Sequence, residues 1–118
     1  MSKKVVYLLE DDPDISELID YILAEAGYMV VQCSTIRQFN EAVAKTLPDI
    51  FILDILLPDG NGLDLCKRLR TDQITSTIPV LMMSANKNKH DIEAFGCKAD
   101  FISKPFDIDH FRERVDQF

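Results

Sequence analysis

Apolar residues occur along the chain in two alternating patterns. The first pattern is a short, continuous apolar run, which is typical of a parallel strand buried on both faces. Five such runs predict five strands, at Lys4–Leu9, Tyr28–Cys33, Ile50–Asp54, Val80–Ser84 and Asp100–Ser103.

The second pattern has apolar positions three and four residues apart, which is the spacing of an amphipathic helix. The first helix is predicted to begin after an N-cap at Asp12, with Pro13 at its first position, and to stop at Gly27. Four more helices are predicted, at Ile36–Leu47, Leu63–Arg70, Asp91–Phe95 and Ile108–Phe118.

Strands that alternate with helices predict an α/β fold, with a parallel sheet covered on both faces. The expected architecture is a doubly wound (βα)5 sandwich with right-handed crossovers, and its 118 residues suit a single domain. In such a fold, ligands bind beyond the carboxyl ends of the strands.

The composition and charge of the chain exclude several classes of protein. The chain has 13 basic and 20 acidic residues, a formal net charge of −7, and 47% apolar residues. The apolar content argues against disorder, and the acidic balance argues against direct binding of nucleic acid. The apolar runs are too short to span a bilayer. No secretory signal is expected, because Lys3–Lys4 and five apolar residues lead directly into acidic residues.

The three cysteines, Cys33, Cys66 and Cys97, are odd in number and widely spaced, and each lies in an apolar context. A disulfide framework needs more cysteines in a smaller chain, and a metal site needs closer pairs. We therefore predict three reduced, buried thiols, in agreement with a cytoplasmic location.

Candidate functional residues lie at the carboxyl ends of four of the five predicted strands, whereas the second strand ends in Cys33-Ser34, which carries no charge. Glu10 and Asp11 come after the first strand, and Asp54 ends the third. Ser84 ends the fourth strand, and Lys104 follows the fifth. Because the carboxyl ends of parallel strands meet at one edge of a sheet, we expect these five side chains to converge.

Three carboxylates at this edge would repel one another by ~4 kcal/mol per pair at about 4 Å and an effective dielectric of about 20. With Lys104 protonated, the three acids leave a formal charge of −2, which one Mg²⁺ would cancel. Asp54 could then act as a nucleophile toward a phosphoryl group. Lys104 and Ser84 would stabilise the charge on the transferring oxygens.

Four segments, each at a strand end, together resemble the receiver domain of two-component response regulators, and the resemblance covers essentially the whole chain. They are Leu-Leu-Glu10-Asp11-Asp12-Pro13, Leu53-Asp54-Ile-Leu-Leu-Pro58, Met83-Ser84-Ala85 and Ser103-Lys104-Pro105-Phe106. The resemblance implies a flavodoxin-like sandwich with strand order 2-1-3-4-5.

The resemblance also implies roles for the site residues. Asp54 is the expected phospho-acceptor, taking a phosphoryl group from a sensor histidine kinase or a histidine phosphotransfer protein. Mg²⁺, with Mn²⁺ as an alternative, would be bound by Asp11 and Asp54, by Glu10 through water, and by the backbone carbonyl of Leu56. Lys104 would pair with the phosphoryl group.

The same resemblance implies a cis Lys104–Pro105 bond and a conformational switch. Ser84 and Phe101 are the expected switch residues, although Phe101 lacks the hydroxyl of the tyrosine that is frequent at this position. Phosphorylation would remodel the surface of the fourth helix, fifth strand and fifth helix. That surface would control an output domain or a separate effector.

The expected protein is therefore a cytoplasmic switch, residues 1–118 being a single receiver domain with no output domain within this chain. It could be a stand-alone receiver or the N-terminal part of a longer regulator. It would catalyse only its own phosphoryl transfer and autodephosphorylation, without contacting a membrane. One alternative is a phosphatase of the haloacid-dehalogenase type, but that class needs a second Asp where this chain has Leu56. Another is a degenerate receiver that binds proteins without phosphorylation, but such domains typically lose an acidic residue or the lysine.

Overall fold

Five parallel strands form the centre of the molecule in the computed structural model, which describes residues 3–85, 90–91, 96–97 and 99–118. Residues 92–95 of the predicted helix at Asp91–Phe95 lie outside the described residues. The described elements, in chain order, are β1 (Val5–Leu9), α1 (Pro13–Glu25), β2 (Met29–Cys33), α2 (Ile36–Lys45), β3 (Ile50–Asp54), β4 (Leu56–Leu57), β5 (Gly60–Asn61), α3 (Gly62–Thr71), β6 (Val80–Ser84), β7 (Asp100–Ser103) and α4 (Ile108–Asp116).

The strand order of the large sheet is β2-β1-β3-β6-β7. When the separate two-residue strands β4 and β5 are set aside, this is the predicted order 2-1-3-4-5, and the predicted fold class is confirmed. The register pairs Leu9 with Leu53, and Asp54 with Met83. It also pairs Ser84 with Ser103. The strand ends that carry the candidate site therefore lie along one edge.

The sheet separates two apolar layers. Along β1, Tyr7 and Leu9 belong to the layer that contains residues of α2 and α3, whereas Val6 and Leu8 belong to the layer with residues of α1 and α4. Every residue of β3 and β6 is buried, as the continuous apolar runs predict. In the described part of the chain, no helix combines the length and the apolar character that a membrane crossing requires.

The start of α1 is fixed by the residues that the sequence indicated. The Asp12 side chain caps the helix by accepting hydrogen bonds from the backbone N–H groups of Asp14, at 2.9 Å, and Ile15, at 3.3 Å, and Pro13 is the first helical residue. Gly27 adopts a left-handed φ of 94° just after the helix ends. The loop between β1 and α1 is thereby held at the carboxyl edge of the sheet.

The prediction of three reduced cysteines is wrong for two of them. Cys66 and Cys97 form a disulfide with a Cα–Cα distance of 5.9 Å, while Cys33 is a buried free thiol. The bonded residues are 31 positions apart in sequence. Their spacing carried no signal, because it is the fold that packs the inner face of α3 against the segment entering β7.

Candidate functional site

An open cleft of about 320 Å³ lies at the carboxyl edge of the sheet. The five residues predicted to converge there, namely Glu10, Asp11, Asp54, Ser84 and Lys104, all line it, and so does Leu56. The structure thus brings together side chains from four separate loops or strand ends. Phe101, the sixth predicted side chain, lies in the core instead.

Asp54 is the last residue of β3 and is 8% exposed, so the fully buried strand fixes the position of its backbone. One carboxylate oxygen, Oδ1, accepts a hydrogen bond from the backbone N–H of Ile55 at 2.8 Å. The other, Oδ2, lies 3.0 Å from Nζ of Lys104. Both oxygens are oriented by contacts that stabilise a negative charge.

Lys104 connects two of the acidic residues. Its Nζ donates hydrogen bonds to Oε1 of Glu10 and to Oδ2 of Asp54. Its backbone N–H donates to the carbonyl of Ser84 at 3.0 Å, and the Lys104–Pro105 peptide bond is cis, as expected. Burial lowers the pKa of Lys104, but the hydrogen bonds to the two carboxylates outweigh it and raise the pKa overall.

Glu10, Asp11 and Asp54 form a cluster of carboxylates whose oxygens can all lie within 4.8 Å of one another. Glu10 is only 2% exposed, whereas Asp11 faces solvent. Burial is the largest of the causes that raise the pKa of Glu10 to about 7, and a hydrogen bond with Asp54 is the next. Lys104 opposes the shift. The single positive charge of Lys104 therefore neutralises only part of the negative charge of these three carboxylates.

This donor set fits a hard divalent cation. The three clustered side chains offer only oxygen ligands, which Mg²⁺ prefers, and the exposed position of Asp11 leaves room for bound water. Leu56 lines the same cleft and is 65% exposed. A cation here would offset a repulsion that Lys104 alone does not balance.

The segment between Asp54 and Leu63 contains structure that the apolar pattern does not predict. Strands β4 and β5 form a small antiparallel hairpin that ends at Asn61, directly before Gly62, the first residue of α3. The backbone N–H of Gly62 donates to the carbonyl of Ile55 at 2.7 Å. A Cβ atom at Gly62 would lie 1.9 Å from the backbone oxygen of Asp54, so this position requires glycine.

Asp59, at the tip of this hairpin, is a second residue that sequence reasoning missed. Its carboxylate accepts hydrogen bonds from the backbone N–H groups of Ile36, at 2.9 Å, and Arg37, at 3.1 Å. These are the first residues of α2, and the bond from Ile36 is the main cause that lowers the pKa of Asp59. The only signal in the sequence was an acidic residue in a Pro-Asp-Gly turn, which does not reveal its distant partner.

The two expected switch residues occupy different surroundings. Ser84 is the buried last residue of β6 and lines the cleft. Phe101 pairs with Met82 in the sheet and packs in the apolar layer that includes residues of α3. The two residues lie on neighbouring strands, β6 and β7.

Comparisons with known proteins agree with this geometry. The sequence model of the response regulator receiver domain matches residues 6–116. The chain is 38% identical, over 93% of its length and 46% of the relative's, to the DNA-binding dual master transcriptional regulator RpaA of Synechocystis sp.. It is 32% identical, over 90% of its length and 47% of the relative's, to the phosphate regulon transcriptional regulatory protein PhoB of Pseudomonas aeruginosa.

Among solved structures, the signal receiver domain of a signal transduction histidine kinase from Syntrophus aciditrophicus superposes with a TM-score of 0.87 at 29% identity. That match covers 97% of this chain and 88% of the other. The chain spans about half the length of the curated relatives that it matches, 46% and 47% for the two named above. Matches to sequence and structure therefore agree with the cleft in placing this chain in the response regulator receiver domain family, in which phosphoryl acceptance is the standard function.

Proposed function

We propose that this chain is a Mg²⁺-dependent phosphorylation switch in which Asp54 accepts a phosphoryl group from a phosphohistidine. The observation that carries the proposal is the contact of one lysine, Lys104, with both Glu10 and Asp54, in a cleft that Asp11 also lines. The carboxylate of Asp54, which is the nucleophile, is thereby held next to the ammonium of Lys104, whose positive charge would stabilise the incoming phosphoryl oxygens.

The transfer forms a bond between a carboxylate oxygen of Asp54 and phosphorus. The P–N bond of the donor breaks, and its electron pair returns to the imidazole. Lys104 then balances charge on the phosphoryl oxygens, and Ser84 donates a hydrogen bond to one of them. Mg²⁺ would be held by Asp11 and Asp54, by Glu10 through water and by the Leu56 carbonyl, and when bound it neutralises negative charge on carboxylate and phosphoryl oxygens.

The same proposal covers the partners and the output. The donor is a sensor histidine kinase or a histidine phosphotransfer protein in the cytoplasm. Residues 1–118 act as one receiver domain, and the output is a further domain or a separate effector. Ser84 moves toward the phosphoryl group and Phe101 follows, which changes the surface around β7 and α4. No other catalysis is assigned to the chain, beyond its own phosphoryl transfer and autodephosphorylation.

The test is phosphorylation in vitro with acetyl phosphate and Mg²⁺, followed by intact-protein mass spectrometry. We expect the wild-type chain to gain one phosphoryl group and Asp54→Asn to gain none. Asp64→Asn, which removes an exposed acid from the first turn of α3, should be modified like the wild type. The proposal is wrong if the folded wild type is unmodified by acetyl phosphate and by phosphohistidine donors, or if Asp54→Asn is modified equally.

A further inference from the structure

The disulfide between Cys66 and Cys97 lies outside the phosphorylation cleft and has no part in the mechanism above. Cys66 is on the inner face of α3, and Cys97 lies three residues before β7. Both side chains are fully buried, in the same apolar layer as Phe101. The two Cα atoms lie 5.9 Å apart, which is within the usual range for a disulfide.

The chain directly before Cys97 is an exposed turn. Gly96, directly before Cys97, is exposed and adopts a left-handed φ of 97°. The Cε atom of Lys67 lies 3.9 Å from the position of a Cβ at Gly96, so this ammonium-bearing side chain rests against the turn. Cys97 therefore directly follows an exposed position, although its own side chain is buried.

The pair also connects two elements that carry residues of the site. Cys66 is four residues after Gly62, whose backbone packs against Asp54. Cys97 is four residues before Phe101 and seven before Lys104. A covalent bond between them therefore ties the helix that begins beside the acceptor to the strand that carries the proposed switch aromatic.

We propose that Cys66 and Cys97 are a reversible redox-modification site whose oxidant is a peroxide and whose reductant is a dithiol. One thiol releases its proton, and the thiolate attacks hydrogen peroxide. The O–O bond breaks, and a sulfenic acid and a hydroxide form, which takes up the released proton to give one water. The second thiol attacks the sulfenic sulfur, which forms the S–S bond and releases a second water. In the reverse direction a dithiol supplies two electrons and two protons, and it leaves as a cyclic disulfide.

The redox state of the pair changes the phosphorylation response, a consequence that rests on the proposed function. The disulfide restrains the segment that enters β7 relative to α3. A change in the position of Phe101 during activation is harder in the restrained form. The oxidised protein therefore responds more weakly than the reduced protein to a ligand that favours the active state.

The modification itself is tested without any phosphoryl chemistry. Folded wild type, Cys33→Ala, Cys66→Ser and Cys97→Ser are first reduced with dithiothreitol and freed of it, and are then treated with hydrogen peroxide and again with dithiothreitol. After each step the thiols are alkylated under denaturing conditions and counted by mass spectrometry. We expect Cys66 and Cys97 of the wild type and of Cys33→Ala to be protected after peroxide and alkylated after dithiothreitol. Neither serine variant should form the bond.

The redox site is overturned if both thiols of the folded wild type remain alkylatable after peroxide, or if dithiothreitol does not open the bond while the protein stays folded. The coupling is tested by titrating oxidised and reduced wild type with beryllofluoride and Mg²⁺, followed by NMR. We expect binding to the oxidised form to be weaker by on the order of fivefold. Equal binding overturns the coupling alone, whereas no response in either redox state contradicts the proposed function and leaves the thiol result standing.

Discussion

At the residue scale, the proposed acceptor Asp54 lies against a backbone position that only glycine can occupy. The backbone oxygen of Asp54 lies 1.9 Å from the position that a Cβ at Gly62 would occupy, and a backbone atom at the end of a buried strand cannot move aside. Gly62→Ala should therefore lower the free energy of unfolding by about 1–3 kcal/mol, the usual cost of overpacking. Urea denaturation measures this loss.

Gly60→Ala is the matched control for this prediction. A Cβ at Gly60 would meet only the Cδ1 atom of Ile36, the mobile end of a side chain, at 2.6 Å. Its cost should be smaller than that of Gly62→Ala, because a flexible side chain can turn away. Equal losses in the two variants would contradict the importance of the contact with Asp54.

Glu10 gives the metal-free protein a specific dependence on pH. Its pKa is about 7 in the folded chain and 4.5 when unperturbed, so between these values the folded state binds a proton that the unfolded state has released. The Glu10 contribution to stability is present below about 4.5 and is lost as the pH rises through about 7. In EDTA, denaturation across this window should show a decline that is shallower in Glu10→Gln.

The comparison between wild type and Glu10→Gln reports on the Glu10 carboxyl together with Asp54 and Lys104, the two groups that it contacts. Identical slopes for the two proteins across the window would show that the Glu10 proton is bound no more tightly in the folded chain than in the unfolded one.

At the element scale, the β4–β5 hairpin is anchored to the first turn of α2 through the side chain of Asp59. Asp59 binds the first two backbone N–H groups of α2, and the Leu56 carbonyl proposed as a metal ligand belongs to the same hairpin. We expect Asp59→Ala to weaken Mg²⁺ binding several-fold, since the hairpin loses its tether. Isothermal titration calorimetry measures the affinity.

The control for the tether is Asp64→Asn, which removes one negative charge from a similarly exposed position. If it weakens Mg²⁺ binding as much as Asp59→Ala does, the effect is one of net charge and the tether is irrelevant. Asp59→Asn keeps an acceptor oxygen, so it should retain part of the affinity.

At this scale, the sequence predicts those features whose physical cause lies in residues that are neighbours in the chain or in the direction of the strands. Continuous apolar runs gave β3 and β6 at the bounds observed, and the Asp12–Pro13 pair gave the start of α1. The convergence of Glu10, Asp54 and Lys104 was predictable too, because it follows from strands that run parallel. The Cys66–Cys97 bond and the reach of Asp59 to α2 were not predictable, since each depends on packing between elements distant in sequence.

At the scale of the whole molecule, two apolar layers stabilise a sheet that brings like charges together at one edge. The formal net charge of −7 matters less than its distribution. Three acidic residues lie where their mutual repulsion opposes folding, and the core supplies the stability that tolerates it. This repulsion is what a bound cation would relieve, so ion binding and folding stability should be linked.

The variant Asp11→Asn separates the effect of the acidic cluster on folding stability from its effect on ion binding. Without metal it removes one charge from the cluster, so in EDTA the variant should unfold at a higher urea concentration than the wild type. With Mg²⁺ at about 100 times its dissociation constant, the wild type should gain about 2.7 kcal/mol and the variant little. Asp64→Asn, an exposed acid outside the cluster, should gain as much as the wild type. An equal gain in Asp11→Asn, or a loss of its stability in EDTA, would mean that the acidic cluster neither strains the fold nor holds the ion.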